Sequence, residues 1–254
     1  MNIFLSIIDC LKIFFQALRF GVLNILVENS NSNLIRALGF LNPFFILNHK
    51  VPQGLRIKNF LESLGPMFIK FGQLLSTRTD VVPLGITSYL RGLTDQCQSF
   101  PAHKAKQIIE DSLKIKIEDV FKDFEDEPLA AASLAQVHRA RIKNTSEKVV
   151  VKVLRPGIHK KVRRNVRVMR AGGFLLKIFY KESERLRLKD VIDDYERTIF
   201  KELDLKVEAA NTTVTKKNFD SSDLLFIPKV FWDQTTVNVL TLEEIDGIGC
   251  TDVD

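Results

Sequence analysis

Residues 149–154 read Val-Val-Val-Lys-Val-Leu, so one charged side chain interrupts a run of β-branched and aliphatic residues. A run of this composition favours a β-strand. Lys152 in its middle is unusual, because burying an ammonium group without a partner is costly. One interpretation is an edge strand, in which a lysine deters pairing with another sheet. The other is a strand whose lysine binds a ligand, and this run alone leaves both alternatives open.

The second alternative is the lysine strand of a kinase-like fold, in which the ammonium group contacts ATP phosphates and pairs with a helix glutamate. That fold requires a small-residue loop upstream of the lysine. Residues 130–133, Ala-Ala-Ala-Ser, supply such a loop. The chain has no G-x-G-x-x-G segment before Lys152, which excludes an ordinary protein kinase.

The same fold requires an acidic residue on a helix that follows the lysine strand. The segment FKELDLKVEAAN offers three candidates, Glu202, Asp204 and Glu208. Asp204 and Glu208 are four residues apart, and like charges at this spacing disfavour a helix by a few tenths of a kcal/mol. A counter-charge such as Lys152 would relieve this repulsion. The alternative for each of the three is a solvated acidic helix face.

The pattern along the rest of the chain predicts an α+β fold. Residues 1–127 read as helices, with breaks predicted at 28–33, Pro43, Gly65-Pro66, Pro83 and Pro101. A hairpin is predicted from 133–143 and 148–154, further helices over 160–180 and 186–219, and two more strands over 224–232 and 236–243. The predicted architecture is an all-helical N-terminal extension followed by an antiparallel sheet with inserted helices. The predicted ranges are an amphipathic helical region at 1–54, a helical extension at 55–127 and the sheet domain at 128–254.

Composition and charge limit the classes of partner. Three cysteines stand far apart, without a Cys/His cluster, which argues against a disulfide framework or a zinc site and fits a reducing compartment. The formal net charge is +6, and residues 148–181 contain no acidic side chain. This basic stretch is either a solvated helix face or a surface that faces phosphates or lipids. A nucleic-acid partner is not expected, because no recognised reading motif accompanies the charge.

The N-terminal residues predict an amphipathic helix. Charged residues interrupt the apolar run well before the roughly 18–20 residues that a membrane span requires, so no transmembrane helix is expected. Nor is there a cleavage-site pattern typical of a signal peptide. The helix either covers a core or lies on a membrane or a partner helix. Its apolar stripe consists of Ile3, Ile7, Leu11, Phe14 and Leu18.

A second unusual segment is Lys70-Phe71-Gly72-Gln73, inside an otherwise apolar helix. Glycine in a helix costs about 1 kcal/mol relative to alanine. Gly72 therefore indicates close packing or a backbone contact, and a tightly packed helix crossing would account for it.

Five segments of the chain together resemble the UbiB family of atypical kinases, which act in ubiquinone biosynthesis. They occur in the family's order from about residue 55 to the C-terminus. The segments are KFGQLLSTRTDVVP, similar to the KxGQ motif; EPLAAASLAQVHRARI, similar to the Ala-rich loop; VVVKVLRPGI, similar to the lysine strand; KELDLKVEAAN, similar to the ExD motif; and LTLEEIDG, similar to the hinge.

The resemblance implies a role for each matching residue. Lys70 and Gln73 correspond to KxGQ, and Glu202 and Asp204 to ExD, whereas Asn165 stands where an acid is expected. The implied cofactor is ATP or ADP, and the KxGQ helix is expected to cover the groove where a protein substrate would lie. The implied nucleotide-binding residues are Ala130, Ala131, Ala132, Ser133, Lys152, the pairing residue Glu208 and the hinge residue Glu243.

The family's catalytic loop and metal ligands follow the hinge, whereas this sequence stops at Asp254. We therefore expect a kinase-like small lobe without the large lobe, no complete catalytic set, no metal site in this chain, and Mg²⁺ only with the missing lobe. The alternative is a non-catalytic, pseudokinase-like module that docks on a membrane or a partner. Expected partners are an anionic membrane surface, other quinone-biosynthesis proteins and lipid intermediates. The expected location is the bacterial cytoplasm, peripheral to the inner membrane.

Overall fold

The computed structural model describes residues 3–28, 44, 48, 50–80, 82–94, 97–179, 187–220, 222 and 224–247. The chain divides into two compact units, and both are discontinuous in sequence. The first unit comprises Met1–Asp95 with His159–Arg197, and the second comprises Gln96–Ile158 with Thr198–Asp254. The continuous functional ranges 1–54, 55–127 and 128–254 stay a prediction.

Several helices of the first half begin at or directly after a proline. Pro66 is the first residue of its helix and follows Gly65, whose φ of +93° suits a glycine. Pro83 and Pro101 stand directly before two other helices, so the three predicted breaks are confirmed. The helices are α1 (Ile3–Arg19), α2 (Val22–Glu28), α3 (Gln53–Leu64), α4 (Pro66–Thr77), α5 (Leu84–Leu90), α6 (Ala102–Leu113) and α7 (Ile117–Val120). The predicted breaks at 28–33 and Pro43 fall almost entirely outside the described residues.

The second unit contains an antiparallel sheet in the order β1–β3–β4–β5, with β2 paired to β3. The predicted hairpin is confirmed, because β3 and β4 pair along their length through a turn at 143–147. One face of β4, formed by Val149, Val151 and Val153, is fully buried in a core shared with Ala105 and Ile109 of α6. The strands are β1 (Phe121–Lys122), β2 (Ala130–Ala131), β3 (Ala135–Ile142), β4 (Lys148–Leu154) and β5 (Val239–Glu243).

In the described residues after the hairpin, the helices are α8 (Ile158–Phe179), α9 (Leu188–Glu202) and α10 (Leu205–Asn218). The helix predicted over 160–180 thus forms α8. The single helical signal over 186–219 is divided into two helices, because Asp204 adopts an extended backbone (φ −112°, ψ 94°) and caps α10. Within the described residues, no helix combines the length and the apolar character needed to cross a bilayer.

The strand predicted over 224–232 is wrong. Only Val230 forms an isolated bridge, to Leu242, and residues 232–234 form a short 3₁₀ turn. Pro228 lies in the segment and has no N–H to donate to a ladder, which limits pairing. The strand predicted over 236–243 is shortened to Val239–Glu243.

The N-terminal helix is confirmed as a helix, but part of its predicted apolar stripe is exposed. Leu11 is 61% exposed and Phe14, three residues later on the same face, is 54% exposed. The neighbouring Phe15 is also exposed, whereas Ala17 is buried. The side chains of Leu11 and Phe14 therefore do not cover a core.

Candidate functional site

Lys152 and Glu208 form the centre of the candidate site. Lys152 Nζ lies 2.8 Å from each carboxylate oxygen of Glu208, which confirms the predicted ion pair. Both side chains are partly exposed, at 32% and 42%. Because β4 pairs with β3 on one side and β5 on the other, Lys152 is not on an edge strand. The interpretation of Lys152 as an edge-protecting lysine is therefore excluded.

Glu208 reaches Lys152 because of the way α10 begins. Asp204 is the N-cap, and its carboxylate accepts a hydrogen bond from the Lys206 N–H at 3.0 Å. Leu205 and Ala209 are fully buried and anchor the first turn, which also carries Glu208. A carboxylate in this first turn is favoured by the helix dipole. The predicted helical repulsion between Asp204 and Glu208 is therefore wrong, since Asp204 lies outside the helix.

The small-residue loop shares a face of the sheet with Lys152. Ala130 lies opposite Val137, and Val137 lies opposite Lys152. Directly opposed residues project from the same face, and two strand spacings amount to roughly 10 Å. Ala130 and Ala131 form β2, and a tight turn follows, in which the Ala132 N–H donates to the Ala135 carbonyl oxygen at 2.9 Å. The β2 backbone and Lys152 thus lie on the same face of the sheet, two strands apart, with only methyl side chains on β2.

The remaining predicted residues of this unit lie at element ends. Glu202 is the last residue of α9, two positions before the Asp204 cap. Glu243 ends β5, and both its backbone and its carboxylate pair with Lys229: the Glu243 N–H donates to the Lys229 carbonyl oxygen, and the Lys229 N–H donates to Glu243 Oε2 at 3.0 Å. The ExD and hinge roles stay predictions.

The KxGQ residues belong to the first compact unit. Gln73 donates a hydrogen bond from Nε2 to the Leu93 carbonyl oxygen at 3.1 Å, and Lys70 is half-buried on α4. A Cβ on Gly72 would lie 2.4 Å from Leu93 Cδ1 and 2.8 Å from Leu61 Cδ1. The close packing predicted at Gly72 is therefore confirmed. Any role of Lys70 and Gln73 in catalysis stays a prediction.

Sequence reasoning missed a buried polar network on β3. Gln136 and His138 are fully buried, and burial is the main cause that lowers the pKa of His138. The Gln136 amide donates to His138 Nε2 at 2.7 Å, so Nδ1 carries the proton and donates to the Glu125 carbonyl oxygen at 2.8 Å. The sequence did contain a signal for this network: Gln136 and His138 alternate along the strand with the same spacing as Ala140 and Ile142, which places all four on one face.

An antiparallel sheet whose central strand carries a lysine paired with a helix glutamate is the arrangement of the small lobe of a kinase-like fold. Residues 92–254 match the family model of the ABC1 atypical kinase-like domain. The chain belongs to this family, which confirms the resemblance inferred from its motifs.

Curated relatives give the same assignment. The chain is similar to probable protein kinases UbiB from Azotobacter vinelandii (42% identity, covering 86% of this chain and 41% of the relative) and Marinobacter nauticus (45%, covering 80% and 37%). It is also similar to the one from Pseudomonas aeruginosa (44%, covering 87% and 42%). The chain thus spans about two fifths of the length of these relatives. One solved chain, from the complex of Rv3197 with erythromycin from Mycobacterium tuberculosis, aligns with a TM-score of 0.49 at 24% identity, covering 86% of this chain and 51% of the other.

Proposed function

We propose that this chain is the nucleotide-binding part of a UbiB-type, ATP-dependent atypical kinase or ATPase that supports ubiquinone biosynthesis. The observation that carries the proposal is the Lys152–Glu208 pair on the central strand. A lysine ammonium group has three N–H donors. Among the described residues, the two oxygens of Glu208 accept from it, which leaves one N–H for a phosphate oxygen of ATP or ADP.

The surroundings of the pair fit a nucleotide. The alanines of β2 carry no side chain that would block a phosphate, and backbone N–H groups in such loops bind anions. Glu243 ends the strand that leads into the hinge, where adenine would bind. The described residues contain no group of three or more His, Cys, Asp or Glu side chains that could hold a metal ion, so no step through Mg²⁺ is assigned to them.

The test is nucleotide affinity of the purified chain, measured with a fluorescent ADP analogue. Lys152→Ala should weaken binding about 10- to 100-fold, because a hydrogen bond to a charged group contributes about 1.5–3 kcal/mol. Lys148→Ala is the matched control, since Lys148 lies on the same strand and the same face and is exposed. Equal affinity of the wild type and Lys152→Ala, both folded, would refute the assignment of Lys152.

A second candidate function is a non-catalytic module that docks on an anionic membrane surface and there meets quinone-biosynthesis proteins or lipid intermediates. The observation that favours it is the exposure of Leu11 and Phe14 on α1. Apolar side chains on one helix face, together with a net positive charge, favour binding at a lipid interface. Magnesium-dependent nucleotide hydrolysis by the intact protein would distinguish an enzyme from this module.

We expect the chain to co-sediment with vesicles that contain anionic phosphatidylglycerol, less with neutral phosphatidylcholine vesicles, and less at high salt. The double variant Leu11→Ser/Phe14→Ser should bind at least about tenfold more weakly, because two apolar side chains no longer enter the interface. Leu84→Ser is the control, since Leu84 lies on another helix of the same unit and is even more exposed than Leu11 and Phe14. No binding to either vesicle, or equal binding to both, would argue against the membrane role.

A further inference from the structure

The Ala130–Ser133 loop is held by a side chain outside it. Arg155, directly after β4, donates from Nε to the Ala132 carbonyl oxygen at 2.9 Å, and its backbone N–H donates to the Leu134 carbonyl oxygen at 2.8 Å. The loop itself consists of three alanines and the buried Ser133, and the methyl side chains of the alanines form no hydrogen bonds. We propose that Arg155 is a positioning residue that sets the backbone of this loop for a nucleotide phosphate, a role that rests on the proposed function.

Arg155 also joins the loop to a second segment, residues 97–100, which we call the strap. The guanidinium donates to the Gln98 carbonyl oxygen at 2.8 Å and lies over the Phe100 ring, 5.7 Å from its centroid. At the other end of the strap, the Cys97 N–H donates to the Ala131 carbonyl oxygen at 3.3 Å. Loop and strap are thus linked directly and through one guanidinium.

The strap is itself anchored to the core of the sheet. Gln136 Oε1 accepts from the Phe100 N–H at 3.0 Å, and Gln136 Nε2 donates to the Phe100 carbonyl oxygen at 3.2 Å. Gln136 is fully buried, and its amide is oriented by the hydrogen bond to His138. Arg155 therefore ties the loop to a segment that the buried network holds in place.

These contacts determine which backbone groups the loop can offer to an anion. Because peptide units are planar and trans, the N–H of each residue points opposite to the preceding carbonyl. The carbonyl oxygens of Ala131 and Ala132 are occupied by Cys97 and Arg155, so they are directed toward these donors. Carbonyl oxygens repel a phosphate, whereas N–H groups attract it. Arg155 thus holds the Ala132 carbonyl oxygen on the side of the strap, so this oxygen does not face a phosphate bound on the other side of the loop.

Arg155→Lys tests the positioning role without changing net charge. A lysine has no planar fork and cannot reproduce the bridge between the Ala132 and Gln98 carbonyls. Amide hydrogen exchange is measured in the nucleotide-free chain, and affinity is measured with the fluorescent ADP analogue. We expect exchange in residues 129–135 to accelerate about tenfold, while the buried pairing of β4 around Val151 stays protected. Affinity for the analogue should fall about tenfold.

Arg141→Lys is the matched control. Arg141 also donates to a backbone carbonyl oxygen, that of Ser146 at 3.2 Å, but at the far end of the hairpin. It should leave loop exchange and affinity unchanged. Unchanged loop exchange in Arg155→Lys would overturn the proposal, and so would equal acceleration at the loop and at Val151, which marks a general loss of stability. Faster loop exchange with wild-type affinity would also overturn it.

The two proposals fail in different ways. If Lys152→Ala does not weaken nucleotide binding, the proposed function is wrong, and exchange in the nucleotide-free chain still decides whether Arg155 holds the loop. If Lys152→Ala weakens binding and Arg155→Lys does not, the nucleotide site stands and the positioning role of Arg155 is wrong.

Discussion

The 254-residue polypeptide, incubated with Mg²⁺ and ATP, should release phosphate no faster than a buffer control. Phosphoryl transfer depends almost entirely on positioning and on charge stabilisation by metal ions and their ligands, and single elements of this machinery contribute about 10³–10⁵ in rate. The proposed site supplies the lysine and the loop of the small lobe. In protein kinases the catalytic loop and a metal-binding Asp supply the other groups, and this chain spans about two fifths of the length of its curated relatives.

The measurement is phosphate release by the purified polypeptide, with Lys152→Ala as the control for contaminating ATPases. Hydrolysis that requires Mg²⁺ and disappears in Lys152→Ala would contradict the prediction, because the catalytic groups would then lie within these 254 residues. The C-terminal remainder of a UbiB relative can also be added to the polypeptide. Activity that appears only after this addition would support the assignment of the polypeptide as the nucleotide-binding part.

Gly72→Val should lower the free energy of unfolding of the first unit by about 2–3 kcal/mol. The new Cβ would lie 2.4 Å from Leu93 Cδ1 and 2.8 Å from Leu61 Cδ1, well inside contact distance. Both leucines are 5% exposed, so neither can swing freely into solvent. Overpacking of this kind costs about 1–3 kcal/mol, and the added methyl groups of valine place the expected loss in the upper part of that range.

Urea denaturation followed by circular dichroism measures this loss. Gly172→Val on α8 is the matched control, because nothing lies within 4 Å of a Cβ built there. It should change stability by less than about 0.5 kcal/mol, since valine and glycine differ little in helix propensity. Equal stability of the two variants would mean that the α4 crossing is not tightly packed at Gly72.

Local sequence was sufficient where the signal lies within a few residues. Proline and glycine predicted the helix breaks at Gly65-Pro66, Pro83 and Pro101, because proline restricts the backbone wherever it stands. The β-branched run around Lys152 predicted β4, and a turn composition predicted the hairpin. The order of five motifs was enough to indicate the family, because each motif consists of neighbouring residues and can be read directly from the sequence.

Local sequence failed where an element depends on its cap or its partner. Residues 186–219 carry a continuous helical pattern, yet Asp204 folds back on the Lys206 N–H and separates two helices. Residues 224–232 look like a strand, but only Val230 finds a bridge partner. In both places the side-chain pattern is compatible with the predicted element. The hydrogen bonds that form there, however, are not those of that element.

The sequence by itself predicted a lysine in a β-strand and close packing at Gly72. It offered three acids on a later helix as possible partners of that lysine, and the family resemblance implied Glu208. Only the tertiary structure decided that β4 is central, because its pairing with β5 joins residues far apart in the chain. It also decided that Leu11 and Phe14 are exposed and that Arg155 bridges the Ala132 and Gln98 carbonyls. The sequence shows that an apolar stripe and an arginine exist. Which surface the stripe faces and which carbonyl oxygens the arginine contacts depend on residues that are distant in the chain and come together only on folding.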